Sequence, residues 1–256
     1  MSNISELAFV SPEAKIGENC TIHPFAYIDK NVVIGDNNEV MPYASIMSGA
    51  RIGNNNRFFQ GSVIAAEPQD FNYQGEDTCA YIGDNNVIRE YAVVIRATHS
   101  NGATRVGNHN FIMQAARLSH DVTVKNHCLV GNGSQVSGGC VIEDHSLLCS
   151  NVLMQGNTRM GMWSVVQGGC RFTRDIPPFI IAAHDPTVFY TINKPVLEYK
   201  GFSPTIIKHI AHAYRLIYKA NTSISDALER VEQEVPMSDE IQIIVDFIRN
   251  SKLGII

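Results

Sequence analysis

The sequence predicts a mainly β protein, a parallel β-helix of six-residue repeats followed by a C-terminal α-helical domain. The first observation behind this is a ladder of apolar residues at every sixth position: Val10, Ile16, Ile22, Ile28, Ile34, Val40, Ile46, Ile52, Phe58 and Ile64, then Ile82, Ile88 and Val94, then Val106, Ile112, Leu118, Val124, Val130, Val136, Ile142, Leu148, Met154, Met160 and Val166. In a chain that is 45% hydrophobic, chance produces such a series about once in 10⁸ trials, and a fixed short period marks a stacked solenoid. The second observation is a small residue two places before many of these sites, as at Cys20, Ala26, Ala44, Ala50, Ser62, Ala92, Ala116, Cys128, Ser134, Cys140, Ser146 and Ser164. Six residues then make one short strand and a bend, three units make a coil of about 18 residues, and strand pairing stacks coils about 4.8 Å apart. The third observation is a change to helical spacing in the last fifty or so residues.

The rungs run unbroken from Val10 to Ile64, with Gly, Asp and Asn at the bends, where left-handed backbone angles are tolerated. Insertions interrupt them at 65–81 and 97–105, and in a solenoid such loops project from the stack and carry binding work. The repeat is expected to end between Cys170 and Phe179, where Pro177 and Pro178 oppose further ladder bonding. Ser203-Pro204 reads as a helix start, and Ile206, Ile207, Ile210, Ala211, Tyr214, Ile217 and Tyr218 form its apolar stripe. Further helices fit 225–234 and 238–251, the last with Ile241, Ile244, Val245 and Ile248 inward. The division expected is 1–190 for the solenoid and 191–256 for a helical cap that covers the open end of the stack.

A net charge of −5 over 256 residues argues against a nucleic-acid partner. No signal-peptide pattern or membrane-length apolar run is present, so a cytoplasmic protein without stable membrane insertion is expected. Cys20, Cys128, Cys140 and Cys170 fall at the small inward position and no CxxC pair occurs, which reads as reduced core filling.

Residues one coil apart sit above one another, and this sorts the histidines. His120, two places after Leu118, should point outward, with Gly138 and then Gly156 stacked beside it. An imidazole next to bare backbone makes a slot in which a general base meets a glycine N–H able to face an oxyanion, and Asp121 could orient the ring. His109, His127 and His145, continued by Trp163, form a second column on a corner. Parallel side chains converge poorly on one ion, so a stacked ladder is expected there and no metal site. Lys208, His212, Arg215 and Lys219 form a basic stripe on the first long helix, suited to an acidic partner or to solvent alone.

Several segments together resemble one family. Gln69-Asp70-Phe-Asn-Tyr-Gln-Gly75-Glu76-Asp-Thr78, Ile82-Gly-Asp-Asn-Asn-Val-Ile-Arg-Glu90, Ser119-His120-Asp121, Arg174-Asp-Ile-Pro-Pro178 and Gly201-Phe202-Ser203 are similar, in order and over essentially the whole chain, to the acyl-ACP:UDP-N-acetylglucosamine O-acyltransferases that open lipid A synthesis. The resemblance implies a left-handed coil, against the usual handedness of parallel crossovers, and a homotrimer with sites between neighbouring subunits. It implies His120 as the base on the sugar 3-hydroxyl, Asp121 beside it and Gly138 as oxyanion donor. Gln69, Asp70, Asn193, Lys200 and Gly168 would contact substrate, and the basic helix would receive acyl carrier protein. No cofactor is implied beyond the carrier's phosphopantetheine. The chain departs from the family at Asn72, Arg117, Gly139, Gln155-Gly156 and Tyr199-Lys200, where lysine, histidine or arginine is usual. Those departures keep open a paralogue with another acceptor, or a non-catalytic trimeric binding protein.

Overall fold

The computed structural model describes residues 1–219 and 222–256. Among them the strands fall into three sheets of eleven, nine and eight strands, and every pairing among the strands up to Arg171–Phe172 joins elements three apart in the chain. We name these faces A, B and C in the order the chain meets them. Every ladder residue from Ile22 to Val166 is at most 5% exposed, and the small positions before them are equally buried. The terminal Val10 and Ile16 are only half-buried.

Each coil turns three corners, and the third residue of nearly every four-residue corner has φ near +60°. Asn, Asp and Gly adopt that conformation at least cost, which accounts for their density at the bends. Some of those asparagines have a second task. Asn38, Asn56, Asn86 and Asn110 occupy the small inward position between faces C and A, fully buried. The Asn56 and Asn86 side-chain amides each donate to the carbonyl oxygen of the asparagine one rung below, at 3.0 Å. A buried amide must be partnered to be tolerated, and the repeat supplies its own partner.

The faces differ in what they turn outward. Face A presents Val87, Phe111, Leu129, Leu147 and Val165, each only part-buried. The corner between A and B carries Leu7, Phe25, Tyr43 and Tyr91 at 63, 51, 63 and 64% exposure, with Phe25 and Tyr43 stacked at 5.3 Å. Face C presents Lys15, Arg51, Arg105 and Arg159.

The insertions are shorter than the sequence suggests, because strands Val63–Ala66, Cys79–Ile82 and Ala103–Val106 extend into them. The paired prolines do not end the ladder. They turn a corner, after which Ile180–Ala183 pairs in parallel with Val165–Val166 and then in antiparallel with Val188–Ile192, a strand that runs through residue 190. Proline lacks one donor; at this position it would serve the next coil, as the Gly161 N–H does the Ile176 carbonyl, and among the described residues no further coil follows on face C.

The helical region begins with a short helix that the periodicity did not reveal, α1 (Lys194–Tyr199), followed by α2 (Pro204–Lys219), α3 (Ile224–Glu234) and α4 (Asp239–Arg249). Ser203 caps α2, accepting from Ile206 N–H at 3.2 Å. The cap of α3 is Ser223, which accepts from the Asp226 N–H, so this helix starts before Ser225. On α2 the buried side is Ile207, Ile210, Ala213, Tyr214, Leu216 and Ile217; Ala211 is exposed instead. The helices are tied to the stack by Tyr214 Oη, which donates to the Pro178 carbonyl. The chain end returns to the stack too, Asp175 exchanging backbone bonds with Gly254 and Ile256. Among the described residues no helix is long and apolar enough to cross a membrane.

Candidate active site

His120 lies at a corner between faces B and C, just past the strand Arg117–Leu118. Its ring lies over Gly138: a Cβ added there would come within 2.4 Å of His120 Cε1 and 2.5 Å of Nε2. The stacking expected from the repeat is therefore present, and only glycine leaves the imidazole its place. The Gly138 N–H has no hydrogen-bond partner among the described residues.

Two carboxylates flank the ring. Nδ1 is 2.9 Å from Asp121 Oδ2, and Nε2 is 3.5 Å from Asp70 Oδ2. With its proton on Nδ1, the neutral ring donates to Asp121 and leaves the Nε2 lone pair toward the space that Asp70 borders. A hydroxyl entering that space can give its proton to Nε2.

Asp70 arrives on the loop between Ala66 and Cys79. Its Oδ1 accepts from the Asn72 backbone N–H at 2.9 Å and from the Asn72 side chain at 3.1 Å. The backbone bond, helped by the facing His120, holds the Asp70 carboxyl below the usual carboxylate range against partial desolvation. Glu76 clasps the loop in the same way, accepting from the Gln74 N–H at 2.7 Å. Arg96 pins it from below, donating to Tyr73 Oη at 2.7 Å. Gln69 meets Arg117, whose guanidinium donates to Oε1 at 2.6 Å. The sequence alone did not reveal Arg96 or Tyr73 as part of this arrangement, because nothing in a period places a loop against the coil beside it.

The remaining candidates lie elsewhere in the same chain. Gly168 is on the corner between faces A and B, its Cβ position 3.1 Å from the Ser150 carbonyl. Asn193 is buried and donates one amide N–H to the Trp163 carbonyl at 2.8 Å, which leaves its side-chain oxygen and its second amide N–H for a ligand. Lys200 follows α1, its ammonium 5.7 Å from the exposed Tyr199 ring. Both adjoin the histidine column, which is stacked as expected: His109 on His127 and His127 on His145 at 4.8 Å, and His145 on Trp163 at 3.9 Å. Desolvation, then the His127 and Lys200 charges, push the His145 imidazole below its ordinary value, with Asp144 opposing. Lys208, His212, Arg215 and Lys219 all line one groove of about 580 Å³ between α2 and the strand Val188–Ile192, floored by Phe189 and Tyr214.

Residues 175–256 match the family model described as UDP N-acetylglucosamine O-acyltransferase, domain 2, and residues 13–40 and 31–66 match that of the bacterial transferase hexapeptide. The chain is 38% identical to the acyl-[acyl-carrier-protein]–UDP-N-acetylglucosamine O-acyltransferase of Halorhodospira halophila, with 100% of both chains covered. It is similar to the crystal structure of a UDP-N-acetylglucosamine acyltransferase from Bacteroides fragilis, with TM-score 0.98, 51% identity and 99% of each chain covered. The Francisella novicida UDP-N-acetylglucosamine acyltransferase matches with TM-score 0.94 at 33% identity, covering 99% of this chain and 93% of that one. The coil of this chain is a left-handed parallel β-helix.

Proposed function

This chain belongs to the acyl-[acyl-carrier-protein]–UDP-N-acetylglucosamine O-acyltransferase family, and from that premise we propose that it moves a 3-hydroxyacyl chain from acyl carrier protein to the 3-hydroxyl of UDP-N-acetylglucosamine, the first step of lipid A biosynthesis. The observation that carries this is His120, fixed through Nδ1 by Asp121 and facing Asp70 through Nε2 above the bare backbone of Gly138.

His120 Nε2 takes the proton of the sugar hydroxyl as its oxygen attacks the thioester carbonyl carbon. Asp121 stabilises the imidazolium that forms. The carbonyl oxygen becomes an oxyanion, and the unpartnered Gly138 N–H is the donor that meets it. Collapse of the intermediate breaks the C–S bond, and the departing phosphopantetheine thiolate takes the proton from the imidazolium. Proton and acyl group are both accounted for, with no metal or further cofactor in the scheme. Gln69 and Asp70 hold the sugar side, and the groove on α2 receives the acidic carrier protein, its cations adding encounter rate and register.

The halves of the site lie on different corners of one subunit, and the apolar surfaces supply a reason. Burying Leu7, Phe25, Tyr43 and Tyr91 around a threefold axis brings face B of one subunit against face A of the next, whose Val87, Phe111, Leu129, Leu147 and Val165 are then covered. His120 thereby faces the neighbour's corner with Asn193 and Lys200, and Gly168 lies deeper in the same cleft, toward the axis. In this reading the working unit is a homotrimer acting in the cytoplasm.

Calorimetric binding of UDP-N-acetylglucosamine and its 3-O-acylated product, followed by acyl transfer from a 3-hydroxyacyl carrier protein, tests this reading. Saturable binding and turnover are expected. In His120→Ala, binding and the trimer persist while the rate falls by about 10²–10⁴-fold, the range of a lost general base. An unchanged rate removes His120 from the mechanism, and a wild-type protein that engages the carrier but not the nucleotide sugar has a different acceptor.

A further inference from the structure

We propose that the segment between the strands Val93–Ile95 and Ala103–Val106 is a positioning element for the proposed base, in which Thr98 and Gly102 set where the two carboxylates around His120 stand. The proposal rests on the assignment of His120 as the base and goes beyond it, since it gives a task to residues that touch neither the imidazole nor a substrate.

Three contacts converge on Asp121. Its Oδ2, the oxygen that faces His120 Nδ1, also accepts from the Thr98 backbone N–H at 3.2 Å. Its own N–H donates to Thr104 Oγ1 at 2.9 Å. Its Oδ1 lies so close to Gly102 that a Cβ there would be 2.4 Å away. Asp121 needs such support, because it occupies a left-handed corner with φ +60°, a conformation that costs a non-glycine residue roughly 1–2 kcal/mol. Without it, the carboxylate is free to leave Nδ1 by rotation about χ1.

Thr98 reaches the other carboxylate as well. Its hydroxyl donates to Asp70 Oδ2 at 3.5 Å, the oxygen that is also 3.5 Å from His120 Nε2. One buried residue, 1% exposed, therefore contacts the carboxylates on both sides of the ring: Asp121 through its backbone and Asp70 through its side chain. The segment itself is anchored. Gly102 N–H donates to the His99 carbonyl at 2.8 Å, closing its turn, and Arg96 N–H donates to the Ala66 carbonyl at 3.0 Å at the root of the first insertion. The two interruptions of the repeat, separate in sequence, thus form one device: the first brings Asp70, and the second fixes it relative to Asp121.

The two contacts of Thr98 separate by substitution. Thr98→Val keeps the N–H on Asp121 and removes the hydroxyl from Asp70, Thr98→Ser restores the hydroxyl, and Gly102→Ala drives a methyl against Asp121. In the trimeric protein with saturating acyl carrier protein, Thr98→Val should raise KM for UDP-N-acetylglucosamine several-fold with a smaller change in kcat, and Thr98→Ser should recover wild-type values. Gly102→Ala should lower kcat by about 10–100-fold, the scale of a displacement near 1 Å in the reacting geometry, with the carrier KM unchanged. Proton NMR of the substrate-free protein reads the same effect without turnover, since the His120 Nδ1–H resonance, held at low field by Asp121, should move upfield in Gly102→Ala and remain in Thr98→Val. A wild-type resonance and kcat in Gly102→Ala, or Thr98→Val and Thr98→Ser that behave alike, would overturn the proposal. Because the resonance is measured without substrate, an error in the acceptor assignment leaves that arm standing.

Discussion

Gly138→Ala is the sharpest test of the site, since one methyl group is added at a position whose backbone accepts it. The φ of Gly138 lies outside the left-handed region, so alanine carries no conformational strain there. What the methyl meets is the imidazole, at 2.4 Å from Cε1 and 2.5 Å from Nε2. Ordinary carbon contacts need about 3.5 Å, so His120 has to move by about 1 Å. Its Nδ1 is held at 2.9 Å by Asp121, and a shift of this size either breaks that bond or rotates Nε2 away from the Asp70 side. A misplacement of about 1 Å in a reacting group can cost on the order of 10²-fold in rate, roughly 2.7 kcal/mol of barrier. The alanine retains its N–H, so loss of the oxyanion donor cannot be the cause. The assay is steady-state transfer from 3-hydroxyacyl carrier protein to UDP-N-acetylglucosamine, paired with a thermal melt and a sedimentation measurement of the oligomeric state. A kcat about 10²-fold lower in a protein that melts and sediments like wild type is expected. A rate within about threefold of wild type would show that the imidazole works from another position, and the reasoning from its seat on Gly138 would fail.

Other consequences are tested separately. Ile112→Ala empties a core position with 0% exposure and should destabilise by about 2–5 kcal/mol, read as an earlier denaturant midpoint; a loss under about 1 kcal/mol would mean the coil collapses around the void. Arg215→Glu, on the groove beside α2, should raise the carrier protein's KM at least about tenfold at low salt while leaving that of the nucleotide sugar alone, the gap narrowing as salt screens the wild-type attraction; equal effects on both substrates would move the carrier elsewhere. The His145 imidazole is held below its ordinary value in the folded protein, so the unfolded chain binds more protons there and stability falls as pH drops through the ordinary imidazole range, levelling once the folded ring is also protonated. His145→Asn keeps a residue that already occupies this corner at Asn19, Asn37, Asn55 and Asn85, and its melting temperature should depend less on pH between 7 and 5; an unchanged slope would clear the stack of that role.

The solenoid was legible because its determinant is periodic. Each rung must place one large apolar residue inside, and that demand repeats from Ile22 to Val166 without exception. The same register located His120 above Gly138 and predicted the histidine stack, since both are relations between neighbouring coils. What escaped detection is local and aperiodic. Helix α1 has only six residues, too few to show an amphipathic stripe. By the bond proline cannot donate, Pro177-Pro178 reads as the end of the ladder; among the described residues no further coil follows on face C to receive that bond, and one more rung forms on face A. Spacing puts Ala211 on the buried stripe of α2, but it lines the groove, and Ala213 and Leu216 face the core in its place. The inward asparagine ladder looked like surface corner chemistry, because sequence does not distinguish the left-handed third position from the buried fourth.

The departures from the family are read differently once the loop is seen in place. Asn72, where a lysine is usual, does not leave a gap: its backbone and side chain both hold Asp70. Arg117, where a histidine is usual, puts a permanent cation on the strand beside the same loop, bonded to Gln69 at 2.6 Å. One cation is lost from the loop and another gained beneath it, so the positive charge next to the sugar-side residues is relocated. Because a guanidinium stays charged at any working pH and presents several donors in a plane, Arg117 keeps bonds available to an anionic acceptor after Gln69 has taken one. At α1 the exchange runs the other way: Tyr199 is 84% exposed and supplies no charge, leaving Lys200 as the cation at that point. In the proposed trimer the acceptor side thus draws its charge more from Arg117, on the subunit that carries His120, and less from the neighbour's position 199.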